Sequence, residues 1–266
     1  MVLKWIARNK YKLIALIIIA YLLLDVVKHK GFTRMLLPKD FPEVKTGLPG
    51  PPNNNDIINT GKEWIKAVNT SELMEELDTT TSGLECDVYY NKVHHCFFVH
   101  HNNTNLPSSN LDSLLQTYRR RGLHASVWID LKNLRDSISG EAVKELSNLR
   151  SKYGLDHKML VESNRPGLLQ PFSDSGFFTS YYAPPFNPYL CSKDSLKYWA
   201  GFIAGKLHGS SANAISCYYF QYPFLEHYFP QYKILTWATN DKWSLINWIF
   251  RKRLLADKAV FIALHP

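Results

Sequence analysis

The sequence predicts an α/β fold: a (β/α)8 TIM barrel preceded by one N-terminal transmembrane helix. Two observations indicate the barrel. Short β-like runs alternate with helix-length amphipathic segments, a pattern typical of repeated βα units and a parallel sheet. These repeats extend over residues 56–266, a length at the lower end of the range of about 200 to more than 400 residues that such barrels occupy. A third observation, an apolar run near the N-terminus, predicts the preceding helix.

Composition excludes several classes of protein. The 266 residues are 45% apolar and 14% aromatic, which is too hydrophobic for a disordered chain and enough for a core without disulfides. The net charge is +8, but nine cationic and three acidic side chains lie in residues 1–45, which leaves the rest of the chain at only +2. A nucleic-acid partner is therefore not expected. The cysteines form no CxxC or metal-binding spacing: Cys86, Cys96, Cys191 and Cys217.

The N-terminal apolar run predicts a membrane anchor in residues 1–30. Residues 13–24 are uninterrupted by a polar side chain, and four cationic residues precede them. A helix over residues 11–27 would be about 26 Å long, close to a hydrocarbon core of about 30 Å if flanking lysines snorkel. No small-x-small motif follows, so we expect an uncleaved single-pass anchor in the membrane. A short basic N-terminus favours a body in the periplasm or in a luminal or extracellular space.

The next segment has the composition of a linker. Residues 38–56 contain five prolines, two glycines and a run of three asparagines, and such residues favour an extended connection over a packed element. We therefore predict a linker over residues 31–55 and one barrel domain over residues 56–266. The oligomeric state is not predicted.

The expected elements follow in order. An open doubly wound sheet is the alternative arrangement, but no glycine-rich phosphate loop follows a strand, as that fold would favour. Strands are expected at residues 83–90, 96–100, 126–131, 159–162, 177–181, 214–219, 233–237 and 259–263. Helices are expected at residues 71–78, 110–121, 140–153, 195–208 and 242–255.

Glu85 and Asp87 indicate a cation site. Strand alternation places both carboxylates on one face of the strand at 83–90. Two carboxylates that point the same way repel each other, and a divalent cation between them removes that repulsion. Oxygen ligands suit Mg²⁺ or Ca²⁺.

Other polar groups end neighbouring strands. Asp130 and Lys132 share a face at the end of one apolar strand, and His100 and His101 end another. Taken singly, each pattern also fits a solvated face, a surface ion pair or a capped loop. The carboxyl ends of barrel strands meet at one mouth, so their order and placement favour one shared site.

These motifs resemble the glycerophosphodiester phosphodiesterase-like barrels. Residues 83–88 are similar to the (I/L)ExDV motif of that family, residues 98–100 to its hydrophobic strand ending in His, and residues 127–132 to its (E/D)(I/L)K motif. Residues 64–69 are similar to the first strand of the sphingomyelinase D toxins and the menorin-like proteins. Residues 234–240 and 260–266 resemble the family's late strands.

The resemblance implies roles for single residues. It implies a Mg²⁺ or Ca²⁺ site at Glu85, Asp87 and Asp130, where the ion would clamp a phosphodiester. His100 would act as the nucleophile or the general acid/base, and His101 is the alternative because a one-residue register slip exchanges their faces. The implied substrate-binding residues are Lys132, for a phosphate oxygen, and Trp237, in the pocket wall. Independently of the resemblance, Arg165 follows another strand, where it either binds an anionic headgroup or is an ordinary surface residue.

Lys66 departs from the family pattern, because the first of the two family histidines should stand there. A lysine with a pKa near about 10.4 is a poor acid/base at neutral pH, although it could hold a phosphate or fill the metal position. The first hypothesis is a membrane-anchored, metal-dependent phosphodiesterase acting on a glycerophosphodiester or phospholipid headgroup. The alternative is a catalytically inactive binding or scaffold protein in which Lys66 pairs with the carboxylates. A third hypothesis is a membrane-tethered glycan-processing enzyme that uses Glu85 with Asp130 or Glu162.

Aromatic residues follow two of the expected strands. Tyr181, Tyr182 and residues 218–224 either line a substrate groove, contact a lipid interface or pack in the core. Residues 182–188 contain three prolines and should form a stiff loop that could cover the barrel mouth.

Overall fold

The computed structural model describes residues 2–28, 39–51, 55–100, 109–237 and 243–265, with side chains from residue 9 onward. Eight parallel strands close into a barrel, because β1 pairs with both β10 and β2. The predicted (β/α)8 barrel is therefore confirmed. The barrel strands are β1 (Glu63–Ile65), β2 (Gly83–Asn91), β5 (Ser126–Leu131), β6 (Met159–Ser163), β7 (Phe178–Tyr182), β8 (Ala214–Tyr218), β9 (Lys233–Trp237) and β10 (Val260–His265).

Two further strands lie outside the ring. β3 (Cys96–Val99) runs antiparallel to β2, and β4 (Ser109–Asn110) pairs with β3. The sequence predicts β3 but not its antiparallel position. The three-residue β1 was not among the expected strands, because it is too short to show an alternation of apolar and polar residues.

The helices pack around the barrel, and several begin at a side chain that caps the first turn. Asn110, Ser192 and Ser244 each accept a hydrogen bond from a backbone N–H three residues later, as helix N-termini require. The short α5 and α7 were not expected. The helices are α1 (Val2–Lys28), α2 (Ser71–Glu75), α3 (Leu111–Arg120), α4 (Asp136–Tyr153), α5 (Gln170–Asp174), α6 (Lys193–Leu207), α7 (Tyr222–Tyr228) and α8 (Leu245–Ala256).

The core has two layers. One lies between the barrel and its helices, and the other fills the barrel interior with bulky side chains that include Trp64, Trp128 and Phe178. The interior layer is closed to solvent, since these three side chains are at most 1% exposed. The charged side chains that line the cavity described below therefore lie above this apolar layer.

The expected transmembrane helix is a wrong prediction. Helix α1 forms, but within the described part of the chain no helix is both long and apolar enough to cross a membrane. The apolar run at residues 13–24 would be about 18 Å long, well short of a hydrocarbon core of about 30 Å. Lys12 and Asp25 flank it directly. Asp25 is buried and accepts a hydrogen bond from the backbone N–H of Ile246 in α8 (3.1 Å).

Residues 39–51, within the segment with linker composition, pack on the barrel domain. The Phe41 ring meets Phe224 edge to face with centroids 5.8 Å apart. The Tyr228 hydroxyl donates to the Pro42 carbonyl (2.6 Å). Phe41, Val44 and Leu48 add to the core beside α7.

A substitution at Gly83 tests the packing of the barrel interior. A Cβ at Gly83 would overlap the indole of Trp64, which is fully buried and held by hydrogen bonds to Asn59 and to the Gly61 carbonyl. We expect Gly83→Ala to lower the free energy of unfolding by about 1–3 kcal/mol, as overpacking does. Urea denaturation of the full chain measures it.

Gly140→Ala is the matched control. Gly140 lies in α4, is exposed and has open space around the added methyl group. This change should be neutral or stabilising by up to about 1 kcal/mol. Equal stability of the two variants would contradict the packing described.

Candidate functional site

A cavity of about 100 Å³ opens at the carboxyl ends of the barrel strands. Its bottom is formed by Trp128 and Leu264, which belong to the apolar interior layer. Its walls are charged and aromatic. The side chains above the floor are Lys66, Glu85, Asp87, Asp130, Lys132, Glu162, Tyr182, Tyr218 and Trp237.

Three acidic residues form the carboxylate cluster: Glu85, Asp87 and Asp130. Glu85 and Asp87 alternate along β2, and Asp130 on β5 is the register partner of Asp87. One oxygen from each residue lies within 4.8 Å of the others. The structure brings these three side chains together, and their metal-ligand role remains a prediction.

Burial makes this cluster electrostatically costly. Glu85 is 3% and Asp87 2% exposed. Burial, followed by the charge of Asp87, raises the pKa of Glu85 to about 8. Burial likewise raises the pKa of Asp130, although nearby Lys132 opposes that shift. The cluster therefore favours the approach of a cation.

Residues that follow β1 donate hydrogen bonds to two of these carboxylates. The backbone N–H of Ala67 donates to Glu85 Oε2 (2.6 Å), and Ala67 has a left-handed φ of 58°. The Asn69 amide donates to Asp87 Oδ2 (2.7 Å), while Asn69 Oδ1 accepts from the Asp87 backbone N–H (2.8 Å). Asn69 is thus a positioning residue that motif analysis did not assign. The sequence feature that could have indicated this role is the position of Asn69, three residues after Lys66 in the motif at residues 64–69.

Lys132 forms ion pairs with two carboxylates of the cluster. Its Nζ lies 2.6 Å from Asp87 Oδ1 and also pairs with Asp130 Oδ2. Burial alone would lower the pKa of Lys132, but Asp130 and Asp87 outweigh burial and raise it. The ammonium therefore partly compensates the carboxylates, and the predicted contact with phosphate stays a prediction.

Lys66 lines the cavity without entering the cluster. Its Nζ lies over the Trp237 ring, 5.5 Å from the centroid, and its charge favours the ionised form of Asp130. None of the salt bridges among described residues joins Lys66 to a carboxylate. In the inactive-protein hypothesis, Lys66 was expected to pair with the carboxylates. In the structure Lys132 forms these ion pairs instead.

The remaining predicted site residues are not brought to the cavity. The His100 ring stacks on Tyr89 (4.3 Å, 5°), and its backbone N–H donates to the Asp87 carbonyl (3.1 Å). Arg165 is exposed. Neither residue is among the described side chains that line the cavity. His101 lies outside the described residues.

Glu162 adds a fourth carboxylate. It is 2% exposed and is the register partner of Asp130. Its Oε2 has no hydrogen-bond partner among the described residues. Burial, followed by the charge of Asp130, raises its pKa well above the ordinary value. The sequence feature that could have indicated a site role for Glu162 is its position at a strand end, two residues before the Asn-Arg pair.

Aromatic rings form the opposite wall. Trp237 meets Tyr182 and Tyr218 edge to face, with centroids 5.5 and 4.8 Å away. Trp237 lines the cavity, and its role in substrate binding remains a prediction. Tyr182 and Tyr218 belong to the same wall.

The donor set fits a divalent cation. Carboxylate oxygens are the ligands that Mg²⁺ and Ca²⁺ prefer. Four lining carboxylates face two lining ammonium groups, so the fully ionised cavity has an excess of two negative charges. A divalent ion matches that excess.

Comparisons with solved structures show the same fold. A glycerophosphodiester phosphodiesterase from Thermotoga maritima superposes with a TM-score of 0.51 at 14% identity, over 78% of this chain and 95% of that chain. One from Parabacteroides distasonis gives 0.51 at 11% identity, over 77% and 93%. An Oleispira antarctica phosphodiesterase in complex with its product sn-glycerol-3-phosphate gives 0.52 at 10% identity, over 76% and 92%.

The fold is therefore the barrel of the glycerophosphodiester phosphodiesterases, as the motif resemblance implies. No protein-family model matches the chain, and no curated protein matches it in sequence.

The raised pKa of Glu85 predicts the pH dependence of stability. With a chelator present, the free energy of unfolding should fall as pH rises from about 4.5 to about 8, because the unfolded chain ionises Glu85 before the folded chain does. Asp130 and Glu162 act in the same direction. Lys132 has no effect in this window, since its pKa lies above it in both states.

Glu85→Gln should make that fall shallower, and urea denaturation at stepped pH measures it. The exposed Glu76 supplies the control, as Glu76→Gln should leave the slope unchanged. A wild-type protein that gains stability between pH 5 and pH 8 would contradict the burial of these carboxylates.

Proposed function

We propose that this protein is a metal-dependent phosphodiesterase that cleaves a glycerophosphodiester or a phospholipid-headgroup phosphodiester. The observation that supports it most is the convergence of Glu85, Asp87 and Asp130 at the mouth of the barrel, within 4.8 Å of one another. The fold is shared with phosphodiesterases, one of which is solved with sn-glycerol-3-phosphate. Function is carried by the site rather than by the fold, so the carboxylate cluster is the stronger argument.

The carboxylate cluster would hold Mg²⁺ or Ca²⁺. When bound, such an ion supplies positive charge for the phosphoryl oxygens of a phosphodiester. Ala67 and Asn69 fix the carboxylates of Glu85 and Asp87 before any ligand arrives. This arrangement lowers the cost of organising the site.

The two lysines would bind the phosphodiester. The Lys132 ammonium lies beside Asp87 and Asp130, and the Lys66 ammonium lies against the aromatic wall. A phosphate between them would be contacted from two sides by permanent positive charge. Lys66 in this position acts as a phosphate ligand, which requires no change in its protonation.

His100 is the proposed acid/base. To reach the cavity, its ring must leave the stack on Tyr89. Its backbone N–H donates to the Asp87 carbonyl, which places its main chain beside the strand that carries two of the cluster carboxylates.

A second candidate is a phosphodiester-binding protein without catalytic activity. One observation favours it: among the described residues that line the cavity there is no histidine, and Lys66 stands where the resembling families have one. The cavity would then bind a phosphodiester and leave it intact.

Metal-dependent turnover separates the two candidates. With Mg²⁺ or Ca²⁺, the wild type should hydrolyse one member of a panel of glycerophosphodiesters and lysophospholipids. A chelator should abolish that turnover, and Asp130→Asn should lower it by about 100-fold or more because a cluster carboxylate is lost. Asp156→Asn, an exposed change outside the cavity, is the control and should have wild-type turnover.

Lys66→His addresses the second candidate. An inactive wild type that binds a panel member, together with activity in Lys66→His, would contradict the proposed activity and support the binding protein. Wild-type turnover that persists in the chelator would contradict metal dependence.

A further inference from the structure

A groove of about 340 Å³ runs along the rim beside the cavity. It lies at the carboxyl end of β7, between the loop that follows this strand and helix α6. Its walls are mainly apolar. The residues that matter here are Tyr182, Ala183, Pro184, Pro185, Phe202 and Lys206.

The groove and the cavity share a wall. Tyr182 lines both of them. Its ring is held from the cavity side by the edge-to-face contact with Trp237 (5.5 Å). A molecule whose polar group lies in the cavity can therefore continue over Tyr182 into the groove.

The groove is preformed. Pro184 and Pro185 restrict the backbone of its loop, and Gln221 Nε2 donates to the Pro184 carbonyl (2.9 Å). The Ala183 backbone N–H donates to the Ser216 carbonyl (2.9 Å). A ligand would therefore bind without first ordering this wall, which lowers the cost of association.

The chemistry of the groove differs from that of the cavity. No carboxylate is among the described residues that line it, and its one charged side chain is Lys206. The Lys206 ammonium lies over the Phe202 ring, 5.6 Å from the centroid. The surface between Pro185 and Phe202 is therefore suited to a hydrocarbon rather than to a second phosphate or a sugar.

We propose that this groove binds the single acyl or alkyl chain of a lysophospholipid whose phosphodiester lies in the cavity. The inference rests on the proposed function and names its substrate class. A deacylated glycerophosphodiester would fill the cavity and leave the groove empty. The lysophospholipid would gain affinity from each methylene group that the groove removes from water.

A chain-length series tests this. In the presence of Ca²⁺, titration calorimetry or initial rates would compare glycerophosphocholine with lysophosphatidylcholines of six, eight and ten acyl carbons, below their micelle concentrations. The headgroup is constant throughout. Affinity, or kcat/KM, should rise by roughly fourfold per buried methylene until the groove is filled.

Pro185→Asp is the diagnostic variant. Pro185 is an exposed rim residue, so the fold should tolerate the change while a carboxylate enters the groove. It should reduce the affinity gain of the eight-carbon lysophosphatidylcholine over glycerophosphocholine by at least about tenfold. The affinity for glycerophosphocholine itself should stay within about twofold of the wild-type value. Phe202→Ser should act in the same direction. Val93→Asp is the matched control, since Val93 is 83% exposed at the β2–β3 turn.

Three outcomes overturn the inference. A wild type that binds every member of the series equally would overturn the inference and leave the proposed function intact. A gain in affinity with chain length that survives in both groove variants would do the same. If the wild type neither binds nor hydrolyses glycerophosphocholine or any lysophospholipid, the proposed function fails and the inference fails with it.

Discussion

Four carboxylates, three of them buried, lie at one end of a barrel whose interior layer is mainly apolar, and the surrounding structure has to compensate them. A buried charge without a partner is among the most costly features a fold can contain. Lys132 provides one ammonium between Asp87 and Asp130, and Lys66 provides another nearby. Two ammonium groups do not neutralise four carboxylates, and the raised pKa values of Glu85, Asp130 and Glu162 record the remaining imbalance. A fold designed only for stability would not retain this arrangement.

The same constraint explains the local structure after β1. Ala67 adopts a left-handed backbone conformation, which is uncommon for a residue with a Cβ, and this turn directs its N–H at Glu85. Asn69 then pairs with both the side chain and the backbone of Asp87. The segment therefore serves the carboxylates more than it serves the barrel, to which β1 contributes only three residues. Strain next to buried charge is typical of functional sites.

The sequence could predict the features that depend on local pattern. Strand alternation placed Glu85 and Asp87 on one face, and the repeated βα units predicted a closed barrel, so the convergence with Asp130 followed from geometry. Position in space was harder to predict. β3 reads as one more strand, but it pairs antiparallel outside the ring, and this turns His100 onto Tyr89.

The apolar run of α1 predicted a membrane anchor, but within the described residues no helix is both long and apolar enough to cross a membrane. The hydrogen bond that the buried Asp25 accepts from α8 is a tertiary contact that no sequence window contains. Glu162 carries no family motif and was a candidate only in the glycan-processing hypothesis. Strand register places it beside Asp130 and in the same cavity. The convergence of the motif carboxylates was therefore predictable, whereas the positions of His100 and Glu162 depended on strand pairings that the motifs do not specify.

Diffraction from a crystal soaked in Mn²⁺ would show whether the carboxylate cluster binds a divalent cation, since Mn²⁺ accepts the oxygen ligands that suit Mg²⁺ and Ca²⁺ and scatters anomalously. We expect one anomalous peak in contact with Glu85, Asp87 and Asp130, with the Lys132 ammonium no longer bridging Asp87 and Asp130. A crystal in which Lys132 still joins those two carboxylates and no peak lies at the cluster would contradict it.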